Sequence, residues 1–138
     1  FVDFAMAMRE KLSIPIMVTG GLRRRDVMEH VLETGGADVI GLGRPLCVET
    51  NGPNELLKGA DELGRYENSL SLLPSWLMWL TRFNTVRTIN SFATQFWFYE
   101  QIANIGRSGS ANETLSVFSA TMAQQKAASA WLKKRKGE

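Results

Sequence analysis

Apolar positions in the first half of the chain change their spacing from helix-like to strand-like and back. Phe1, Phe4, Ala5, Met8 and Leu12 recur at three- and four-residue steps, which predicts the end of a helix over residues 1–12. Ile14, Pro15, Ile16, Met17 and Val18 then make a short, nearly unbroken apolar run. Such a run suits a strand of a parallel sheet buried on both faces, with Pro15 tolerated near its start. Thr19, Gly20 and Gly21 end it. Helical spacing returns at Val27, Met28, Val31 and Leu32, predicting a helix over residues 26–34 that stops at Gly35-Gly36. Residues 37–42 (ADVIGL) form a second strand, followed by Gly43, Arg44 and Pro45. Alternating helix and strand of this kind implies parallel strands joined by right-handed crossovers.

Past Tyr66 the strand signal disappears. Leu73, Trp76, Leu77, Leu80, Phe83, Phe92, Phe96, Tyr99 and Ala103 step mostly by three or four, predicting one long helix or two, with Pro74 near the start and Gly106 near the end. Residues 108–112 read as a loop, and Asn112 is a candidate cap for a last helix carrying Leu115, Phe118, Met122 and Trp131. The most apolar stretch, LLPSWLMWL, ends at Arg82 and is too short to span a bilayer. The expected organisation is an α/β region over residues 1–66 and a helical region over residues 67–138.

Composition adds little to this pattern. The chain has 138 residues, 44% hydrophobic and 22% charged, which is ordinary for one globular domain. Its net charge of +2 comes from interspersed signs, except for the run from Lys133 to Lys136, which reads as a solvated helix end and makes nucleic acid an unfavoured partner. The single cysteine, Cys47, has no internal partner for a disulfide, and a reducing, cytoplasmic location is the expectation. One His and one Cys do not suffice for a metal site built on those ligands.

The chemistry lies in a repeated arrangement. A buried strand ends in Gly20-Gly21, and about one helix later another ends in Gly41-Leu42-Gly43-Arg44. Loops that follow successive strands of a barrel emerge on the same face, so the two turns are expected to be neighbours. Glycine has no Cβ, so an anion approaches the backbone closely and takes hydrogen bonds from adjacent N–H groups; Arg44 adds a fixed charge and a forked donor. Together they make a phosphate cradle.

These residues carry a family resemblance. IPIMVTGGLRRRDVMEHVLETGGADVIGLGRP resembles the last two strand-helix units of old yellow enzyme-type NADH:flavin oxidoreductases, FMN-binding (β/α)8 TIM barrels, and the likeness is close over residues 1–46. The resemblance implies that residues 1–66 are the seventh and eighth βα units of such a barrel and that residues 67–138 are a helical C-terminal extension. It implies an FMN-phosphate site at Gly20, Gly21, Gly43 and Arg44, with Leu22 contributing its backbone or packing. It also implies NADH or NADPH as reductant and a small-molecule acceptor, typically an activated alkene. A barrel of this type takes about 250 residues, so the chain is expected to be the C-terminal part of a longer enzyme, inactive alone. The substrate-orienting His/Asn or His/His pair and the tyrosine proton donor of the family lie in earlier strands, so no catalytic residue is assigned. After Pro45 the chain reads CVETNGP, where the family often has a short segment ending in Asp-Pro, and detailed mapping stops there.

Dihydroorotate dehydrogenase-like FMN barrels also bind phosphate after these two strands and form the alternative enzyme reading. His30, in the middle of a helix, reads as a surface or packing residue, and Cys47 as a packed thiol. Arg23, Arg24 and Arg25 open a helix, where their charge opposes the macrodipole, which slightly favours a nearby anion. Asn112-Glu113-Thr114 matches a glycosylation acceptor that a cytoplasmic flavoenzyme would not expose to the machinery. The aromatic stretch from Trp76 to Tyr99 reads first as packing. An oligomer interface, or a non-catalytic oligomerisation or membrane-surface module, is the alternative.

Overall fold

The computed structural model describes residues 2–137, and their contacts divide into two compact units, residues 1–65 and residues 66–138. The first is a mixed α/β unit. Its elements run α1 (Val2–Arg9), β1 (Met17–Thr19), α2 (Arg25–Glu33), β2 (Val39–Gly41), a 3-10 turn (Arg44–Cys47) and α3 (Gly52–Leu57). Phe1, which the apolar spacing puts at the start of α1, lies outside the described residues.

Strands β1 and β2 are parallel, in the register Met17↔Val39, Val18↔Ile40 and Thr19↔Gly41. Both are shorter than the apolar runs predict, for a local reason. Proline at position 15 has no N–H to give to a ladder. Instead Asp38 closes the beginning of the pair: its Oδ2 accepts the Ile16 N–H at 2.8 Å and the Arg9 guanidinium at 2.6 Å, while the Ile16 carbonyl accepts the Asp38 N–H at 2.8 Å. A side chain thus takes the place of one strand hydrogen bond and ties α1 to the sheet.

Burial also departs from the expectation of two covered faces. Val18 is buried, but Met17 is 64% exposed and Val39 is also largely exposed. Among the described residues the sheet has two strands, and the helices cover one side of it. That side holds the core: Ala5, Val18, Leu22, Met28, Val31, Ala37, Leu56 and Leu63, with Ile16, Ile40 and Leu42 partly buried against it. Met28 and Val31 come from one face of α2, three residues apart as an amphipathic helix requires.

The chain after α3 returns to the first glycine turn. The Arg25 N–H donates to the Asp61 carbonyl at 2.8 Å, the Leu63 N–H donates to the Arg23 carbonyl at 2.9 Å, and Arg24 and Glu62 form an antiparallel bridge. Glu49 Oε1 accepts the Gly64 N–H at 2.8 Å. Leu63 drops into the core against Gly52, where an added Cβ would stand 2.8 Å from its Cδ2.

The second unit is helical: 3-10 turns at Tyr66–Asn68 and Ser75–Arg82, then α4 (Asn84–Ser108) and α5 (Val117–Lys136). Two boundaries differ from the sequence reading. Gly106 lies inside α4, and the helix ends at Gly109, whose φ of 80° gives the left-handed cap that a side chain would oppose. The last helix is capped not by Asn112 but by Ser116, whose Oγ accepts the Ser119 N–H at 3.1 Å. Asn112 Oδ1 instead accepts the Thr114 hydroxyl at 2.8 Å, forming a turn before the helix.

Polar side chains fasten this helix pair. Trp97, Glu100 and Gln101 recur at helical spacing along α4, and all three are buried. Trp97 Nε1 donates to the Leu115 carbonyl at 2.7 Å; Gln101 donates to the Asn112 carbonyl at 2.8 Å and accepts its N–H at 2.6 Å. Glu100 takes a hydrogen bond from Gln124 of α5 at 2.8 Å and pairs with Arg107. Burial pushes the Glu100 carboxyl upward, but the bonds from Arg107 and Gln124 outweigh it and leave it below the usual range. Trp97 also packs edge-on to Phe98 with ring centres 5.3 Å apart and stacks on Tyr66 at 6.1 Å. Val117 and Ala120 fill the α5 side.

Two outcomes follow. Replacing Gln101 by Met keeps the volume but strands both backbone groups of Asn112, and since Asn112 is exposed enough for water to recover part of the loss, the expected cost is about 1–3 kcal/mol by urea unfolding. Asp38 is held below the usual carboxylate range, first by the Arg9 hydrogen bond and then by the Ile16 N–H. A lowered folded value means that its stabilisation is present above the unfolded value, near pH 4, and fades as pH falls through the folded one. Thermal melts of wild type and Asp38→Asn should therefore separate above about pH 4 and draw together as the pH falls below the ordinary carboxylate value.

Candidate functional site

Because β1 and β2 are parallel, their C-terminal ends coincide, and the Gly20-Gly21 turn stands beside Gly43 and Arg44. The two turns surround an open recess of about 190 Å³. Its lining brings together Thr19, both glycines of the first turn, Gly41 and Gly43, and two arginines, Arg23 and Arg44. That volume is below the range of about 300–1,000 Å³ for whole small-molecule ligands. It has room for a small polar group and not for a whole cofactor.

Each glycine here has a distinct reason. Gly20 and Gly21 have φ of 131° and 73°, a backbone that residues with a Cβ rarely adopt. Gly41 faces Thr19 across the ladder, where a Cβ would sit 2.8 Å from the Thr19 Cβ. Thr19 uses this closeness: its Oγ1 donates to the Gly41 carbonyl at 3.0 Å. Beside Gly21 and Gly43 a Cβ would meet nothing within 4 Å. That free space is what an anion needs to reach the backbone.

Of the five residues singled out from sequence, Gly20, Gly21, Gly43 and Arg44 line the recess, and Leu22 is turned into the core. By sequence Arg23 is only one of three basic residues at a helix start, and the fold separates the three. Arg24 pairs with Asp26, and Arg25 reaches Glu29 at 3.3 Å; both stay toward solvent. Arg23 is 5% exposed, lines the recess, and donates to the Leu22 carbonyl at 3.0 Å. Its burial comes from the pairing of residues 61–63 with residues 23–25, which no local pattern announces.

The recess brings together two guanidinium groups, a threonine hydroxyl and a glycine backbone open to an approaching anion. No group of three or more His, Cys, Asp or Glu that could hold a metal exists among the described residues. His30 is exposed on α2. Burial raises the Cys47 thiol above its ordinary range, which disfavours the reactive thiolate. Larger hollows of about 430 and 310 Å³ flank the sheet, but Phe4, Met8 and Leu12 in one, and Leu32, Leu56 and Leu57 in the other, make them chiefly hydrocarbon. They offer an anion little.

The first unit is a small parallel α/β unit with an arginine-lined recess at the carboxyl ends of its strands, the end at which open α/β sheets hold ligands. Comparison with characterised proteins narrows this. The chain is 26% identical over 110 residues to the NADH-dependent flavin oxidoreductase iccE of Talaromyces variabilis, covering 79% of this chain and 27% of that protein. It is 43% identical over 49 residues to the NADH-dependent flavin oxidoreductase iliE of Neonectria sp. (strain DH2), covering 35% of this chain and 6% of that protein. For iliE of Hypocrea jecorina (strain QM6a) the figures are 37% over 49 residues, 35% of this chain and 12% of that protein. The chain therefore spans about a quarter or less of the length of these relatives. No family model matches it, and no solved structure does. Its distant homologues are thus named as oxidoreductases that use a flavin and NADH.

The Thr19–Gly41 contact gives a test of the site's frame. Gly41→Ala is expected to cost about 1–3 kcal/mol through overpacking. Combining it with Thr19→Gly should recover most of that loss in a double-mutant cycle; strict additivity would show that the close approach does not constrain the strands.

Proposed function

We propose that this chain is the C-terminal part of an FMN-dependent NAD(P)H oxidoreductase of old yellow enzyme type, and that its two glycine turns hold the phosphate of FMN. The observation that carries the reading is the recess at the shared end of β1 and β2, lined by Gly20, Gly21, Gly43, Arg23 and Arg44. The names of the distant homologues support a flavin and NADH. Within this reading β1 and β2 are the seventh and eighth strands of a TIM barrel, and the exposed apolar side chains of Met17 and Val39 are surface that further strands of the longer protein cover.

The residues present fit a phosphate monoester. Backbone N–H groups at the glycine turns and the Arg44 guanidinium would bind its oxygens, and the room beside Gly21 and Gly43 lets the phosphate come to backbone distance. Gly41, by allowing the strands to close on Thr19, sets the separation of the two turns. Arg23 adds positive potential from a side chain that packing holds in place, so little of its freedom is lost on binding. When bound, FMN supplies hydride transfer from NADH or NADPH to a small-molecule acceptor. This chain's contribution is to fix one end of the cofactor; the groups that hold the ring and the acceptor belong to other parts of the longer enzyme.

The test is FMN retention by the longer enzyme with Arg44→Ala. Loss of one charge-assisted contact costs about 1.5–3 kcal/mol, which corresponds to roughly ten- to hundredfold weaker binding. FMN affinity equal to wild type in a folded variant would remove Arg44 from the site and, with it, the phosphate reading.

A further inference from the structure

Ser75–Arg82 winds as a 3-10 helix, in which a turn takes about three residues and side chains three apart stand in line. Trp76, Trp79 and Arg82 therefore make one row, with Trp76 73% and Trp79 55% exposed. Leu77 and Leu80 lie on a different row and are half-buried, so the segment anchors itself to the protein without using its indoles. The Arg82 guanidinium lies 5.0 Å from the ring centres of both Trp79 and Phe83, holding a positive charge against the exposed aromatic surface. Ile89 and Phe92 of α4 are exposed as well. A shallow recess of about 390 Å³ on α4 adds Arg87, Thr88, Ser91 and Gln95 around Phe92.

The charge of this segment has one sign. Between Glu67 and Glu100 the chain contains Arg82 and Arg87 and no Asp or Glu, and residues 66–138 carry eight Lys or Arg against four Asp or Glu. One of those four, Glu100, is buried against Arg107 and Gln124. We propose that the Trp76–Trp79–Arg82 row, with Phe83 and the Arg87 recess beside it, docks on an anionic phospholipid surface. Indole has a broad apolar face and a single N–H donor, which places it at the level of lipid headgroups rather than in water or hydrocarbon. Arg82 and Arg87 would meet phosphate and carboxylate groups of the headgroups, which supply the negative charge that the segment itself lacks. No helix among the described residues is long and apolar enough to cross a membrane, so this contact lies on the surface. A symmetric contact with a second copy is disfavoured by the same charges, because it brings arginines together with no carboxylate in the segment to separate them.

The experiment is cosedimentation of the full chain with vesicles of phosphatidylcholine mixed with phosphatidylserine, and with vesicles of phosphatidylcholine alone. Binding to the mixed vesicles, weakened by salt, is expected. Trp76→Ser combined with Trp79→Ser should lower partitioning on the order of tenfold, and Arg82→Glu alone by about tenfold on mixed vesicles with less effect on neutral ones. All three positions are exposed, so circular dichroism should stay at wild type. Three results would overturn the proposal: no vesicle binding by the wild-type chain; binding that Trp131→Ser abolishes while the Trp76/Trp79 and Arg82 variants keep it; or a dimer in solution that the Trp76/Trp79 substitutions dissociate without any lipid binding.

Discussion

The register of two short parallel strands is the constraint on which the candidate site depends. Thr19 sits opposite Gly41, and everything that lines the recess is counted from that pair: Gly20 and Gly21 follow one strand, Gly43 and Arg44 the other. A shift by one residue would send Val18 from the core to the other face of the sheet and move one turn past its neighbour. Two devices oppose such a shift. At the beginning of the strands Asp38 grips the Ile16 N–H and Arg9 together. At their end the Thr19 hydroxyl reaches the Gly41 carbonyl over a gap that admits no Cβ. The strands have three residues each, so side chains at both ends do what a longer ladder would do through its backbone.

The three consecutive arginines are sorted by the fold. Asp26 and Glu29 take up Arg24 and Arg25 toward solvent, while the return of residues 61–63 along the first turn buries Arg23 beside Arg44. One sequence run of three arginines thus ends in two different environments. The first unit places Arg23 and Arg44 at the recess, whereas the helical unit keeps Arg82 at its surface against Trp79 and Phe83, and Arg87 beside Phe92. The two units also hold together by different means. In the first, hydrocarbon from α1, α2 and α3 covers one side of the sheet. In the second, Trp97 and Gln101 fasten the α4–α5 connection through hydrogen bonds with the backbone of Leu115 and Asn112, and Glu100 accepts a bond from Gln124 of α5.

Local pattern reached far in this chain where the physics is local. Spacing of apolar residues announces α1, both strands, α2 and the helical second half, because periods of two and about 3.6 follow directly from backbone geometry. The glycine turns and Arg44 were legible for the same reason: glycine at the end of a strand, then charge, is a property of neighbouring residues. The boundaries that moved did so where a residue outside the window decided them. Gly106 and Gly109 are both plausible helix stops in sequence, and the one with the left-handed backbone ends the helix. Asn112 and Ser116 are both competent caps, but Gln101 holds the Asn112 backbone in a turn and leaves the cap to Ser116.

The sequence by itself determined that helix and strand alternate in the first half, that the second half is helical, and where the two glycine turns fall; it left α3 and the 3-10 winding of Ser75–Arg82 unannounced. Tertiary structure alone decided which of Arg23, Arg24 and Arg25 enters the site, that Leu22 serves the core, that Asp38 substitutes for a strand partner, and which of the aromatic residues are buried. The physical reason is one of range. Periodicity and turn chemistry depend on a few consecutive residues, whereas burial of an arginine or a tryptophan depends on a segment tens of positions away that folds back and excludes water. Leu63 covering Gly52 and Leu115 receiving the Trp97 N–H are contacts of that second kind.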